Sequence, residues 1–314
     1  MALFFEENPP LGLDISDYKL RLVQLRKNGK KAYLSSFNEV AVPEGVISDG
    51  VIQDMEKMSE LLHTLKKGMT GARIKTKNRV IVSLPEKQSF IKLAIIEKKD
   101  VKSIQAEMEK HLPFSLKDVY YDYQIYNDVF PNADVLHFAA GRKEIIDSYL
   151  NVLKETNFHP EVIEVETEAM ARCLFLPMDK MAYLGIDIGL ARTTFYIVYK
   201  KLVVFSISYP SIIHEKTAYI PELEESIKRV FDFYKEHLEK FFPLEAIITC
   251  GTGAHITNLH TEIEKKYKIK TLPGNPWQNI KNGHSRLAKK MPYPISYSTA
   301  IGLSLRSILY KKYL

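Results

Sequence analysis

Apolar positions along this chain follow two periods. Short runs at 11–15, 20–25, 32–37, 79–84 and 184–188 are nearly continuous, as in strands buried in a sheet. Longer stretches repeat at helical spacing. Residues 53–67 put Met55, Met58, Leu61, Leu62 and Leu65 on one face, and Gly68 and Gly71 follow. Residues 221–242 put Ile227, Val230, Phe231, Tyr234, Leu238 and Phe241 on a stripe, with Pro221 suited to the first turn and Glu222, Glu224 and Glu225 opposing the helix dipole. Further helices are predicted over 98–112, 142–157, 254–267 and 297–309, and further strands over 89–96, 119–126, 135–140 and 246–249. In the final helix, Ser298, Ala300 and Gly302 are small enough for close packing.

One pattern occurs twice. Residues 11–15 read Leu-Gly-Leu-Asp-Ile, and residues 184–188 read Leu-Gly-Ile-Asp-Ile, differing only at the third place. Each copy leads into two apolar runs across a short turn. The first pair is 20–25 and 32–37 across Asn28-Gly29, a strong hairpin signal; the second is 194–199 and 202–207 across Lys200-Lys201. A supersecondary unit therefore opens each half of the chain. Such a unit has a use beyond packing. A buried strand delivers an Asp at its end, turn amides can hold phosphate oxygens, and the carboxylate can orient water on Mg²⁺. Two units would clamp a phosphate tail from both sides. The strand at 246–249 runs into Cys250-Gly251-Thr252-Gly253, where glycines let a ligand approach the backbone.

Composition changes this picture little. The chain has 314 residues, which suggests about two domains, and its 46% hydrophobic and 26% charged content is that of a globular protein. No apolar run is long enough to span a membrane. The N-terminal residues lack a basic region and a cleavage site, so no signal peptide is expected, and residues 1–10 read as a flexible lead-in. Cys173 and Cys250 suggest neither a disulfide nor a metal site. A cytoplasmic protein is expected. The net charge of +6 comes from scattered lysines that read as a solvated surface, so no nucleic-acid partner is expected.

Between 86 and 160 the predicted order is strand, helix, strand, strand, helix, a self-contained α+β module. Its motifs carry a resemblance. Glu107-Met108-Glu109-Lys110-His111-Leu112-Pro113-Phe114, Asp122-Tyr123-Gln124, and the stretches 135–142 and 162–172 stand in the order found in PilM-type proteins of type IV pilus assembly, relatives of cell-division FtsA and actin. Cys250-Gly251-Thr252-Gly253 with Asn275-Pro276-Trp277 resembles that family's adenosine-side motif, and 297–303 its closing helix.

The resemblance implies an α/β, actin-like (ribonuclease H-like) duplicated fold with an FtsA-like inserted α+β subdomain. The first lobe would take residues 1–85, 161–182 and 295–314, the insert 86–160, and the second lobe, with a shortened outer subdomain, 183–294. It implies a scaffold at the inner face of the cytoplasmic membrane, peripheral to it, among other pilus platform proteins. That scaffold would bind ATP with Mg²⁺ and hold the N-terminal tail of PilN between the first lobe and the insert. By position, Asp14 and Asp187 would hold Mg²⁺ through water. Arg21 would replace a phosphate-facing Lys, Ser16 would sit in the first phosphate loop, Gly189, Thr193 and Thr194 in the second, and Gly251 and Gly253 near the adenosine.

Three departures from the family pattern bear on the nucleotide. Ser16 stands where the pattern has Gly. Residues 206–219 lack a Gly-Gly loop. The only Glu-x-x-Lys pair available for ribose and base is Glu225 with Lys228, within the 221–242 helix. ATP binding weaker than in the family, with hydrolysis near background, is therefore expected, and a scaffold without a ligand stays open. Other readings are a sugar kinase or phosphatase of the same superfold, with Glu164, Glu166 or Glu168 as its base, a filament-forming protein, or a platform protein of type II secretion.

Overall fold

The computed structural model describes residues 9–74, 77–96, 101–130, 133–176, 181–190, 192–210 and 221–309. Residues 1–8 of the lead-in, the start of the helix expected from 98, the side chains of Val101, Pro221 and Glu222, and the segment 211–219 lie outside the described residues. The chain divides into two compact units. One comprises Met1–Leu84, Ser148–Leu174 and Asn275–Leu314, and the other Pro85–Asp147 and Phe175–Gly274.

The first unit is built on a six-stranded sheet. Its order is His159–Val165, Arg79–Leu84, Leu11–Ile15, Lys19–Asn28, Lys31–Ala41 and Thr70–Gly71. Leu11–Ile15 is fully buried, parallel to Arg79–Leu84 on one side and antiparallel to Lys19–Asn28 on the other. The hairpin expected at Asn28-Gly29 closes with Gly29 at φ +59°, and Asn28 pairs with Lys31. Met55–Lys67 is the first helix, and Asp54 caps it by accepting from the Lys57 amide at 2.9 Å. Met58, Leu61, Leu62 and Leu65 are its buried face.

The small residues of the final helix, Ser298–Leu309, do what their size suggests. A Cβ on Gly302 would stand 1.8 Å from the Ala169 carbonyl oxygen, so this helix meets Glu166–Leu174 backbone to backbone. On its other contact, a Cβ on Gly12 would stand 2.0 Å from the Ala300 oxygen. His159–Val165 is a strand where none was predicted. It pairs parallel with Arg79–Leu84 from Arg79 onward.

The second unit repeats the design. Its five-stranded sheet has the order Leu202–Pro210, Arg192–Tyr199, Ala182–Ile188, Leu244–Cys250, Thr271–Pro273, with the Asp-bearing strand again between an antiparallel hairpin arm and a parallel neighbour. Lys200 and Lys201, at φ +48° and +72°, form the two-residue turn between the hairpin arms. Pro221–His237 packs on one face through Leu223, Ile227, Val230, Phe231 and Tyr234. This helix is shorter than its pattern suggests. It ends before Leu238, and Phe242 is buried while Phe241 is 56% exposed.

The expected strand, helix, strand, strand, helix order of the module is present as Ser89–Ile96, Val101–His111, Val119–Phe130, Ala133–Arg142 and Lys143–Glu155. Its sheet has the order Ser89–Ile96, Ala133–Arg142, Val119–Phe130, with Ile104, Met108 and Leu112 packed on Leu136, Phe138 and Ala140. Tyr121 and Tyr123 pack against the same cluster. A second cluster joins Val129 and Val135 of this sheet to Leu202 of the larger one, and Lys200 Nζ donates to the Val129 carbonyl at 3.0 Å.

Candidate functional site

The two copies close their turns identically. The Ser16 amide donates to the Lys19 carbonyl at 3.1 Å, and the Gly189 amide donates to the Arg192 carbonyl at 2.9 Å. Ser16 and Gly189 are thus equivalent, each two residues beyond its Asp. Ser16 Oγ also donates to the Lys19 carbonyl at 2.9 Å, so this side chain folds back onto its own turn. Hairpin register then fixes what faces each carboxylate. Arg21 lies opposite Asp14, and Thr194 lies opposite Asp187.

That one difference gives the two sites different electrostatics. Asp14 is 5% exposed. Arg21 Nη1 stands 3.4 Å from its Oδ2, and Ser83 Oγ donates to its Oδ1 at 3.1 Å. Burial pushes the Asp14 carboxyl above the usual carboxylate range, against the opposing pull of Arg21 and Ser83. Arg21 is itself buried. Its Nε donates to Glu39 at 3.3 Å, and its guanidinium lies 5.5 Å from the centre of the Tyr297 ring. The first site is a filled ion-pair network within its own unit.

Asp187 is half-buried, at the end of Ala182–Ile188, and Cys250 Sγ donates to its Oδ1 at 3.5 Å. Gly251, at φ +80°, has no room for a side chain: a Cβ would stand 2.3 Å from Asp187 Oδ1 and 2.7 Å from the Ile188 carbonyl. The backbone thus passes directly beside the carboxylate, which only glycine permits. Thr194 shares the Asp187 face, and its Oγ1 lies 2.7 Å from Ser208 Oγ. Thr193 is fully buried and pairs with Ile188, placing it on the opposite face, where Ile188 joins the helix-packed core. Gly253 is buried in the one-turn helix Thr252–His255. The expected 254–267 helix begins at Leu259, because Asn258 is left-handed at φ +63°.

The second unit therefore brings together Asp187, Thr194, Gly189 and Gly251, with Gly253 one turn on. The first unit brings together Asp14, Arg21 and Ser16. Sequence reading overlooked Ser83, Glu39 and Ser208, and took Cys250 only as the start of a glycine motif. Counting back from the first turn would have paired Asp14 with Arg21, since a hairpin turn sets its register, but Arg21 meets Glu39 only because an irregularity at Gln24 and Leu25 shifts the next hairpin by one residue.

Of the glutamates proposed as a catalytic base, Glu164 is otherwise engaged. Glu164 is buried and bonded to Arg172 (Nη1 to Oε2, 2.9 Å) and to Arg306. Burial acts to raise its carboxyl, but the two guanidiniums outweigh it and hold the group below its ordinary range. A carboxylate held ionised between two arginines is a poor proton acceptor. Glu225 pairs with Arg229 one helical turn on, not with Lys228.

Solved structures share this fold. Ethanolamine utilization protein EutJ from Carboxydothermus hydrogenoformans is 12% identical over 96% of this chain and 93% of its own, with a TM-score of 0.53. MreB5 of Spiroplasma citri, bound to AMPPNP, is 15% identical over 98% of each chain, with a TM-score of 0.52. A chain of the PilM-PilN type IV pilus biogenesis complex is 18% identical over 96% of this chain and 98% of its own, with a TM-score of 0.78. Two sheets of like order, each centred on an Asp-bearing strand, and these likenesses define an actin-like α/β protein. The family model for type IV pilus assembly protein PilM matches residues 12–209, more than half of the chain, and the chain belongs to that family. Among the described residues, no helix is long and apolar enough to cross a membrane.

Proposed function

We propose that this protein is a cytoplasmic scaffold of the type IV pilus machine, peripheral to the inner face of the cytoplasmic membrane, that holds the N-terminal tail of a PilN-like membrane protein. The observation that carries this reading is the full-length likeness to a chain of the PilM-PilN complex. Other platform proteins are its further partners. The protein also binds ATP with Mg²⁺, weakly, and turns it over near background. MreB5, solved with AMPPNP, supports a nucleotide in this fold.

The residues of the second unit fit such a ligand. Asp187 is half-buried against the backbone of Gly251, with no side chain between them, and a single carboxylate suits an ion that keeps its waters. Asp14 is spent on Arg21 and Ser83, so Asp187 is the carboxylate that would hold the ion's water shell. Thr194 and the amides near Gly251 line the phosphate path. Bound Mg²⁺ supplies charge neutralisation of the phosphates.

Isothermal titration of the full chain with a synthetic PilN tail, and separately with Mg-ATP, tests both parts. Saturable binding of the tail, with none for a scrambled peptide, is expected. Equal heats from tail and scrambled peptide would remove the partner reading. Absence of any ATP signal at millimolar concentration would remove the nucleotide reading and leave the scaffold.

A further inference from the structure

We infer that the inserted module reads the state of the Asp187 hairpin through a row of polar side chains that ends on Glu86. This rests on the nucleotide reading of Asp187 and Thr194. The row crosses one face of the second sheet. Cys250 Sγ donates to Asp187, Thr194 stands opposite Asp187, and Thr194 Oγ1 lies 2.7 Å from Ser208 Oγ. Ser208 Oγ in turn donates to Glu86, which also accepts from Ser206 Oγ at 3.3 Å. Glu86 opens the one-turn helix Glu86–Gln88, where the chain enters the module. The other end of the contact is held separately, by Lys200 on the Val129 carbonyl and by Val129 and Val135 on Leu202.

Hydroxyls give the row a direction. Each has one proton to donate. The Glu86 carboxylate takes the proton of Ser208, so Ser208 must accept from Thr194. Thr194 then has no proton left for a group beside Asp187. A phosphate oxygen there accepts only, and competes for that proton. If it wins, Ser208 turns to donate back to Thr194, and Glu86 loses one of its donors. A nucleotide on the hairpin therefore loosens the module at Glu86 while the Lys200 end stays tied. By reciprocity, loosening Glu86 must favour the nucleotide.

Hydrogen exchange on the full chain, with and without Mg-ATP, tests this. Saturating Mg-ATP should speed exchange of amides in 86–93 about fivefold, the worth of one hydrogen bond, and leave those near Val129 unchanged. Without nucleotide, Ser208→Ala should do the same, because it removes the donor to Glu86. Glu86→Ala should tighten ATP about fivefold by freeing the Thr194 proton. Should Glu86→Ala fold poorly, the ATP affinity of Ser208→Ala gives the comparison instead, because removing the hydroxyl that takes the Thr194 proton should tighten ATP likewise. ATP that binds without changing exchange in 86–93, or binds more weakly to Glu86→Ala, overturns the coupling alone. A wild-type chain that binds no ATP overturns it together with the nucleotide reading.

Discussion

Asp14→Asn should cost little stability or add some, although it removes a buried carboxylate paired with an arginine. Removing one partner of a buried pair usually costs about 3–5 kcal/mol, because the other charge is stranded. Arg21 is not stranded, since Glu39 still accepts from its Nε at 3.3 Å. Asn keeps the Oδ1 acceptor for Ser83, whose bond is 3.1 Å. What disappears is the desolvation of a charge, the largest influence on this group. We expect a change between about 1 kcal/mol of loss and about 1 kcal/mol of gain. Glu164→Gln is the control. It leaves Arg172 and Arg306 without their shared carboxylate and should cost about 3–5 kcal/mol. Urea unfolding as a function of pH separates the two. A carboxyl raised in the fold contributes stability below its unfolded value, lost as pH rises through the folded value. Asp14→Asn should therefore gain on the wild type as pH rises above about 4. Glu164 is lowered, so its contribution is present above its unfolded value and is lost as pH falls through the folded one. The deficit of Glu164→Gln should shrink on acidification. Equal cost for both variants at neutral pH, or an Asp14→Asn deficit that grows with pH, would refute the reasoning.

Asp187→Ala should abolish magnesium-dependent ATP binding by calorimetry while shifting the urea midpoint little, since the group is only half-buried. Gly302→Ala should destabilise by about 2–3 kcal/mol in urea, because its Cβ would stand 1.8 Å from the Ala169 carbonyl and two helices must part. Lys201→Gly should raise stability by about 1 kcal/mol by relieving a left-handed φ of +72°, with the Lys200 bond to Val129 kept.

Much of this fold was legible because its signals are local. The repeated Leu-Gly-x-Asp-Ile strand, the Asn28-Gly29 turn and the 3.6-residue stripe capped by Asp54 each lie within a few residues of one another. The strand His159–Val165 was not legible. It begins with His-Pro-Glu and carries Glu164, and what makes it a strand with a buried glutamate lies elsewhere in the chain: the parallel partner Arg79–Leu84, and Arg172 and Arg306 to neutralise the glutamate. The early end of Pro221–His237 is similar. Phe241 fits the stripe, but the chain turns after His237 and the Tyr234 hydroxyl donates to the Phe242 carbonyl at 3.0 Å, so Phe242 takes the buried place.

The two copies show how far a repeated backbone constrains chemistry. Strand, turn bond and register are the same in both, and both glycines of the repeated motif are needed, yet for different neighbours. Gly12 admits the backbone of the final helix, and Gly185 admits the Tyr196 ring, whose atoms would stand 2.2 Å from an added Cβ. Opposite the aspartates, one copy has Arg21 and the other Thr194. An arginine there satisfies the carboxylate from within, and burial follows. A threonine cannot neutralise it, so Asp187 stays half-buried, next to a glycine held at φ +80°. An Arg21→Thr exchange would make the first site resemble the second, and should leave Asp14 as a buried carboxyl without its cation, whose ionised form Mg²⁺ with ATP could then stabilise. The measurement is the urea midpoint with and without Mg-ATP. The exchange should lower the midpoint in the absence of ligand and enlarge the shift that ligand produces. A ligand shift no larger than in the wild type would mean that the difference between the copies is confined to packing.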